Sequence, residues 1–247
     1  MKKIEKEERL IIDETPSYWR SHPLTRDRIF FLEANQTDRK VNRNDEAFNR
    51  IKAKIFSFLK TPEQTFLHYG DDSLPALYAQ SIALFKQSKI EDALKKADLL
   101  LKAEPDNPYF HELKGQILFE CGRIDEAVQS YRRAVQLRPK ADLIRLSLAH
   151  ALLETGQKEN IDEAVSHLEK ITATDRDFPE NWWFLHIAYA KQGQKDLSDY
   201  AKIEYDFLSG NGKDLPQRVQ TLKKKMQNDT VKYNLLSDIE ESLAQKD

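Results

Sequence analysis

The sequence predicts an all-α protein, an α-solenoid of about four helix-turn-helix repeats closed by helical end caps. Three observations predict it. Pro105 and Pro139, Ala93 and Ala127, and Gly122 and Gly156 are each 34 residues apart, and self-similarity at such a period marks stacked repeats. Only 7 Gly and 9 Pro occur in 247 residues, too few for a turn-dense β-sandwich. Hydrophobic residues make up 40% and charged residues 32%, which suits helices with one buried and one wet face.

Each repeat is justified by its own residues. Repeat one, residues 74–107, carries Leu77, Ser81 and Leu84 on its first helix and Ala93, Ala97 and Leu100 on its second. Repeat two, residues 108–139, places Gly115, Leu118, Gly122, Ile124, Ala127, Tyr131, Ala134 and Pro139 at the offsets of a tetratricopeptide (TPR) unit. The small residues Ser81, Gly115 and Ala149 on first helices, and Ala93, Ala127 and Ala164 on second helices, let paired helices approach closely. Repeat three, residues 142–178, keeps Leu148, Ala149, Leu152 and Gly156. Its inserted Lys158, Glu159 and Asn160 are expected to lengthen the loop between its helices, where extra residues cost little entropy. Repeat four, residues 179–210, has Trp182, Leu185, Tyr189 and Gly193 in place. It departs with His186 at the small position and with Ser198 and Tyr205 in its second helix, which predicts looser or altered packing.

The flanks are helical by different signals. Residues 1–44 are mostly irregular, with one short helix expected after Thr25. Residues 45–73 are linking helices: Phe48, Ile51, Ile55, Phe58 and Leu59 follow helical spacing, and Thr61-Pro62 opens a second short helix. Residues 211–247 hold two helices without TPR residues, about 215–227 and 230–244, fitted to cap the stack.

Composition and motifs point away from chemistry in this chain. The net charge is -2, so no nucleic-acid partner is expected. No stretch approaches the roughly 20 apolar residues of a membrane helix, so membrane insertion is not expected, and the charged N-terminus is not followed by the apolar segment of a secretory signal. Cys121 is the single cysteine; it precedes a turn at a helix C-terminus, where the dipole disfavours a thiolate. His111-Glu112 lacks the second histidine of an H-E-x-x-H zinc site, and the six histidines show no ligand spacing. Lys223, Lys224 and Lys225 suit the last turn of a helix on dipole grounds. No catalytic residue, metal ligand or cofactor site is predicted within the chain.

The first helices of TPR units line a concave groove, which makes their inward residues the candidate partner-binding surface. By offset these are Tyr78, Ile82 and Phe85, then Tyr109, Leu113, Gln116 and Phe119. Leu143, Leu146 and His150 follow, then Trp183, Phe184 and Ile187. An aromatic and aliphatic set of this kind suits a protein or peptide partner. The plain alternative is that several of these side chains simply pack between repeats.

Residues 16–29, with His22-Pro23 at their centre, resemble the closing segment of the catalytic domain in HtpX-like zinc metalloproteases. The order continues through Arg50-Ile51-Lys52-Ala53-Lys54, Phe58-Leu59 and Ser73-Leu74-Pro75-Ala76 into the repeats. It is similar to the C-terminal half of periplasmic proteases with a TPR tail, the β-barrel assembly-enhancing proteases. The resemblance implies that residues 1–44 are the remnant of a protease domain whose H-E-x-x-H motif and zinc lie upstream. It also implies a periplasmic setting and a protease catalytic domain as a possible partner. His22 matches a family histidine near the zinc, and Arg28 an arginine of the same segment; without the metal site in this chain, a helix-entry turn is the preferred reading of His22-Pro23. Two other expectations stand beside this one: a free-standing TPR adaptor, and a protease assembled in trans from two chains.

Overall fold

The computed structural model describes residues 46–212 and 214–245; the short helix expected after Thr25, and His22 and Arg28, lie outside them. Among the described residues there are twelve α-helices and no strand. Two precede the repeats, α1 (Glu46–Leu59) and α2 (Pro62–His68). Four hairpins follow: α3 (Leu74–Lys86) with α4 (Ile90–Ala103), α5 (Pro108–Glu120) with α6 (Ile124–Leu137), α7 (Asp142–Glu154) with α8 (Lys158–Thr174), and α9 (Pro179–Lys191) with α10 (Lys195–Leu208). The chain ends in α11 (Leu215–Lys225) and α12 (Thr230–Ala244). Each hairpin packs within itself, and each second helix packs on the next first helix. The fold is a TPR α-solenoid, with one continuous core running from Leu77 to Ile239.

The turns explain the period. Gly122 takes a φ of 81°, its N–H donates to Phe119 O at 3.0 Å, and the Arg123 N–H reaches back to Leu118 O at 2.9 Å. This left-handed Schellman closure satisfies carbonyls that the helix end leaves open. Gly193 repeats it, with φ 74° and Gln194 N–H to Tyr189 O at 2.9 Å. Repeat one makes the same closure at Ser88, with φ 59° and Lys89 N–H to Leu84 O at 3.0 Å. The turn is therefore conserved in geometry where the glycine is absent from the sequence.

Repeat three differs from expectation. Lys158, Glu159 and Asn160 do not extend the loop; they form the first turn of α8, which has 17 residues where α4, α6 and α10 have 14. Asn160 holds that turn on both sides: its amide donates to Thr155 Oγ1 at 3.0 Å, and its Oδ1 accepts from Arg132 Nη2 at 2.9 Å. Three residues are close to one helical turn, so Ile161 onward keeps its face towards the core.

In the repeat frame each small position on a first helix corresponds to one position on the second helix. Ser81 is paired in the repeat frame with Ala97, Gly115 with Tyr131, Ala149 with Leu168, and His186 with Lys202. A Cβ at Gly115 would lie 2.9 Å from the Tyr131 ring, which fills the space that glycine leaves. In repeat four the altered packing is an ordered one. Ser198 Oγ donates to His186 O at 3.1 Å and lies 2.8 Å from His186 Nδ1, while Lys202 pairs with the buried Asp206 at 2.5 Å.

The first linking helix packs through its small residues and not through its apolar stripe. The stripe Phe48, Ile51, Ile55, Phe58 and Leu59 is exposed, and the opposite face buries Ala53 and Ser57 completely. α1 packs along α3 through that face of small side chains, which permits close approach. Ser57 returns its hydroxyl to Ala53 O at 2.8 Å. Lys86 Nζ donates to Ser57 O, Phe58 O and Lys60 O at 3.1, 3.1 and 2.6 Å, closing the helix end from α3.

Candidate partner-binding groove

The candidate surface lies on α3, α5, α7 and α9, and its sequence-predicted residues separate into three groups. Tyr78, Ile82 and Leu113 are buried at 3%, 1% and 3% exposure. They are core side chains, as the packing alternative holds. Phe85, Gln116, Phe119, Leu146, His150, Phe184 and Ile187 are partly buried, and Tyr109, Leu143 and Trp183 are exposed. Tyr78 is covered because α1 lies over this end of α3: Arg50 and Lys54 line one cleft with Tyr78 and Phe110. Lys54 also reaches Glu112 at 3.4 Å, and Glu112 occupies in repeat two the frame position of Tyr78, Leu146 and Trp183.

Across the remaining repeats three rings form a ladder. Phe119 of α5 and His150 of α7 have centroids 4.7 Å apart, and His150 and Phe184 of α9 are 4.5 Å apart. The ladder steps back by three residues along the first helix at each repeat, close to one turn, so stacked helices bring residues of different frame positions into contact. Phe119 and Phe184 cover part of His150, whose side chain stays 38% exposed. Burial pushes its pKa below the ordinary histidine value, against the opposing pull of Glu154 and Glu120. The imidazole therefore favours its neutral, apolar form on this surface.

Trp183 belongs to a neighbouring cluster rather than to the ladder. Its ring lies 5.1 Å from Tyr205 and 5.7 Å from His186, with Lys202 Nζ over both Trp183 and Tyr205 at 5.8 and 5.1 Å. Cation–π contact of this kind fixes the ring's orientation while leaving it 38% exposed. Trp182, the adjacent residue, is core: its Nε1 donates to Arg176 O at 2.7 Å. Sequence reasoning missed Arg50, Lys54 and Arg138 at the α1 end of the groove. The signal for the first two was the small pair Ala53 and Ser57, one helical turn apart.

Among the described residues no three His, Cys, Asp or Glu side chains stand where they could hold a metal ion, so no chemistry is derived through zinc. No described helix is long and apolar enough to cross a membrane.

Residues 78–142 match the family model described as tetratricopeptide repeat. The chain is 26% identical over 206 residues to the beta-barrel assembly-enhancing protease of Escherichia coli (strain K12), covering 79% of this chain and 42% of that protein. It is 36% identical over 160 residues to tetratricopeptide repeat protein 13 of Homo sapiens, covering 58% of this chain and 17% of that protein. The chain thus spans less than half the length of these curated relatives. Among solved structures it is similar to YrrB, described as a TPR protein with an unusual peptide-binding site, with TM-score 0.55, 16% identity, and coverage of 78% of this chain and 97% of that one. It is also similar to MamA from Desulfovibrio magneticus RS-1, with TM-score 0.52, 17% identity, and coverage of 70% and 93%.

Proposed function

We propose that this TPR module captures a protein or peptide partner on the face of repeats two to four, as the non-catalytic C-terminal region of a zinc metalloprotease in outer-membrane protein quality control. The observation that carries the binding role is the ladder Phe119–His150–Phe184, flanked by the half-exposed Trp183. A row of partly open rings spanning three repeats offers apolar contact area to an extended or helical segment. The order of segments before the repeats, and the similarity to the assembly-enhancing proteases, support the assignment to a protease. In that role the module selects what the catalytic domain meets, and a protease domain is itself a candidate partner.

The test is capture of a denatured outer-membrane β-barrel protein by the immobilised chain, with a denatured soluble helical protein as control. The double variant Phe119→Ser, Trp183→Ser is expected to lose about thirtyfold in affinity, the scale of one binding hot spot, with its helical circular dichroism unchanged. Undiminished capture by a folded double variant would remove the groove from consideration. Equal capture of the helical control would remove the outer-membrane preference.

A further inference from the structure

We infer that the chain carries a second subsite, separate from the ladder, which accepts an apolar side chain flanked by an acidic one from a partner polypeptide. The site is the cleft of about 380 Å³ between α1 and the start of α5. Ile51, Tyr78, Tyr109 and Phe110 give it apolar walls, and Arg50, Lys54 and Arg138 supply its charge. Its volume is within the range of ligand pockets, towards the small end. It suits one or two side chains rather than a whole helix.

The charges are not equivalent. Arg50 Nη1 is held by both oxygens of Glu104, at 2.6 and 2.7 Å, and Lys54 is paired with Glu112 at 3.4 Å. Arg138 lies over the Tyr109 ring at 5.5 Å, and its guanidinium has no carboxylate partner among the described residues. Among the described residues, Arg138 is thus a cation without an acidic partner at one end of an apolar cleft. A ligand that complements it has an apolar body and a single anion placed beside Tyr109. Tyr109 is 42% exposed and Ile51 58%, so the mouth presents the apolar surface that such a side chain would cover.

The geometry favours a side-chain carboxylate over a chain terminus. Capture of a terminal carboxylate relies on several free backbone N–H groups converging in a nest. Here the start of α5 is closed by Asn107, whose Oδ1 accepts from Tyr109 N–H at 3.1 Å and whose carbonyl accepts from Phe110 and His111 N–H at 3.2 and 3.4 Å. What remains is the Arg138 fork, which matches one carboxylate. This subsite does not rest on the ladder: Tyr109 and Phe119 lie at opposite ends of α5.

Fluorescence anisotropy on the full chain tests it, using a short labelled peptide, amidated at its C-terminus, with one Phe-Glu pair in a Gly/Ser frame. Saturable binding is expected, weakened about fivefold when Glu becomes Gln, the upper range for an exposed ion pair. Replacing the peptide's Phe by Ser should abolish it. Arg138→Gln should make the Glu and Gln peptides bind alike, and Ile51→Ser should weaken both. Phe119→Ser should change nothing, which separates this site from the ladder. Equal binding of the two peptides to the native chain, no saturation, or loss of binding with Phe119→Ser would each overturn the assignment. Tighter binding of a peptide ending in Phe with a free carboxylate would overturn it in favour of a terminus reader.

Discussion

Gly115 of α5 faces the ring of Tyr131 of α6 so closely that an added Cβ would lie 2.9 Å from the ring. Gly115→Ala should therefore destabilise the chain, by up to about 2 kcal/mol once the overpacking penalty is reduced by alanine's better helix propensity. At the corresponding frame positions repeat three carries Ala149 and Leu168. The double variant Gly115→Ala, Tyr131→Leu should accordingly recover most of the loss in urea unfolding. No recovery would mean that the two positions are not coupled.

Ser88 holds a left-handed conformation at φ 59° that glycine takes in the other repeats. Ser88→Gly is expected to stabilise the chain by about 1 kcal/mol, since an L-residue pays roughly that in this region. Gly122→Ala should cost a similar amount through the backbone alone, because nothing lies within 4 Å of the added Cβ. Shifts in urea midpoint of opposite sign check both.

Glu204 is buried at 1% exposure and meets Arg176 at 2.6 Å, with the Tyr200 hydroxyl donating to it at 2.6 Å. Arg176→Gln leaves a buried carboxylate with one neutral donor. The expected loss is about 1–3 kcal/mol, below that of a fully buried pair because the arginine is partly exposed. Adding Glu204→Gln should restore part of it. In contrast, Lys95 and Asp92 pair at the surface, 75% and 56% exposed, so Lys95→Ala should leave thermal unfolding almost unchanged.

His150 and His167 both have pKa values held below the ordinary 6.5, first by burial, with Arg145 adding to the effect at His167. Their neutral forms are favoured in the folded chain, so this contribution to stability is complete above pH 6.5. It falls as the pH drops below 6.5, where the unfolded chain takes up protons that the folded chain refuses. Urea midpoints at pH 7.5 and 5.5 should differ, and His150→Phe should shrink the difference. Carboxylates held below their ordinary values, Glu163, Asp229 and Glu240 among them, lose their share at lower pH, which keeps the histidine window separate. An unchanged difference in His150→Phe would place the effect elsewhere.

The repeats were legible because each rests on local requirements. Gly122 and Gly193 are needed for a left-handed helix end, Pro108 and Pro179 suit a first turn, and Gly115 leaves the space that Tyr131 fills. Those demands are written at fixed spacing along the chain, so the period alone determined the helices, the hairpins and the order of stacking. Ser88 escaped because the backbone geometry, not the residue type, is what the turn repeats.

Only the tertiary structure decided which faces meet. Hydrophobic spacing marks α1 as a helix, yet Ala53 and Ser57 pack inward and Ile51, Ile55 and Leu59 face out, because close approach to α3 needs small side chains more than large apolar ones. It also decided that Tyr78, Ile82 and Leu113 are core while Phe119, His150 and Phe184 form a ladder. Each step of that ladder joins residues of different frame positions on different helices, and a contact between helices 31 or 34 residues apart in sequence leaves no local trace for a single chain to display.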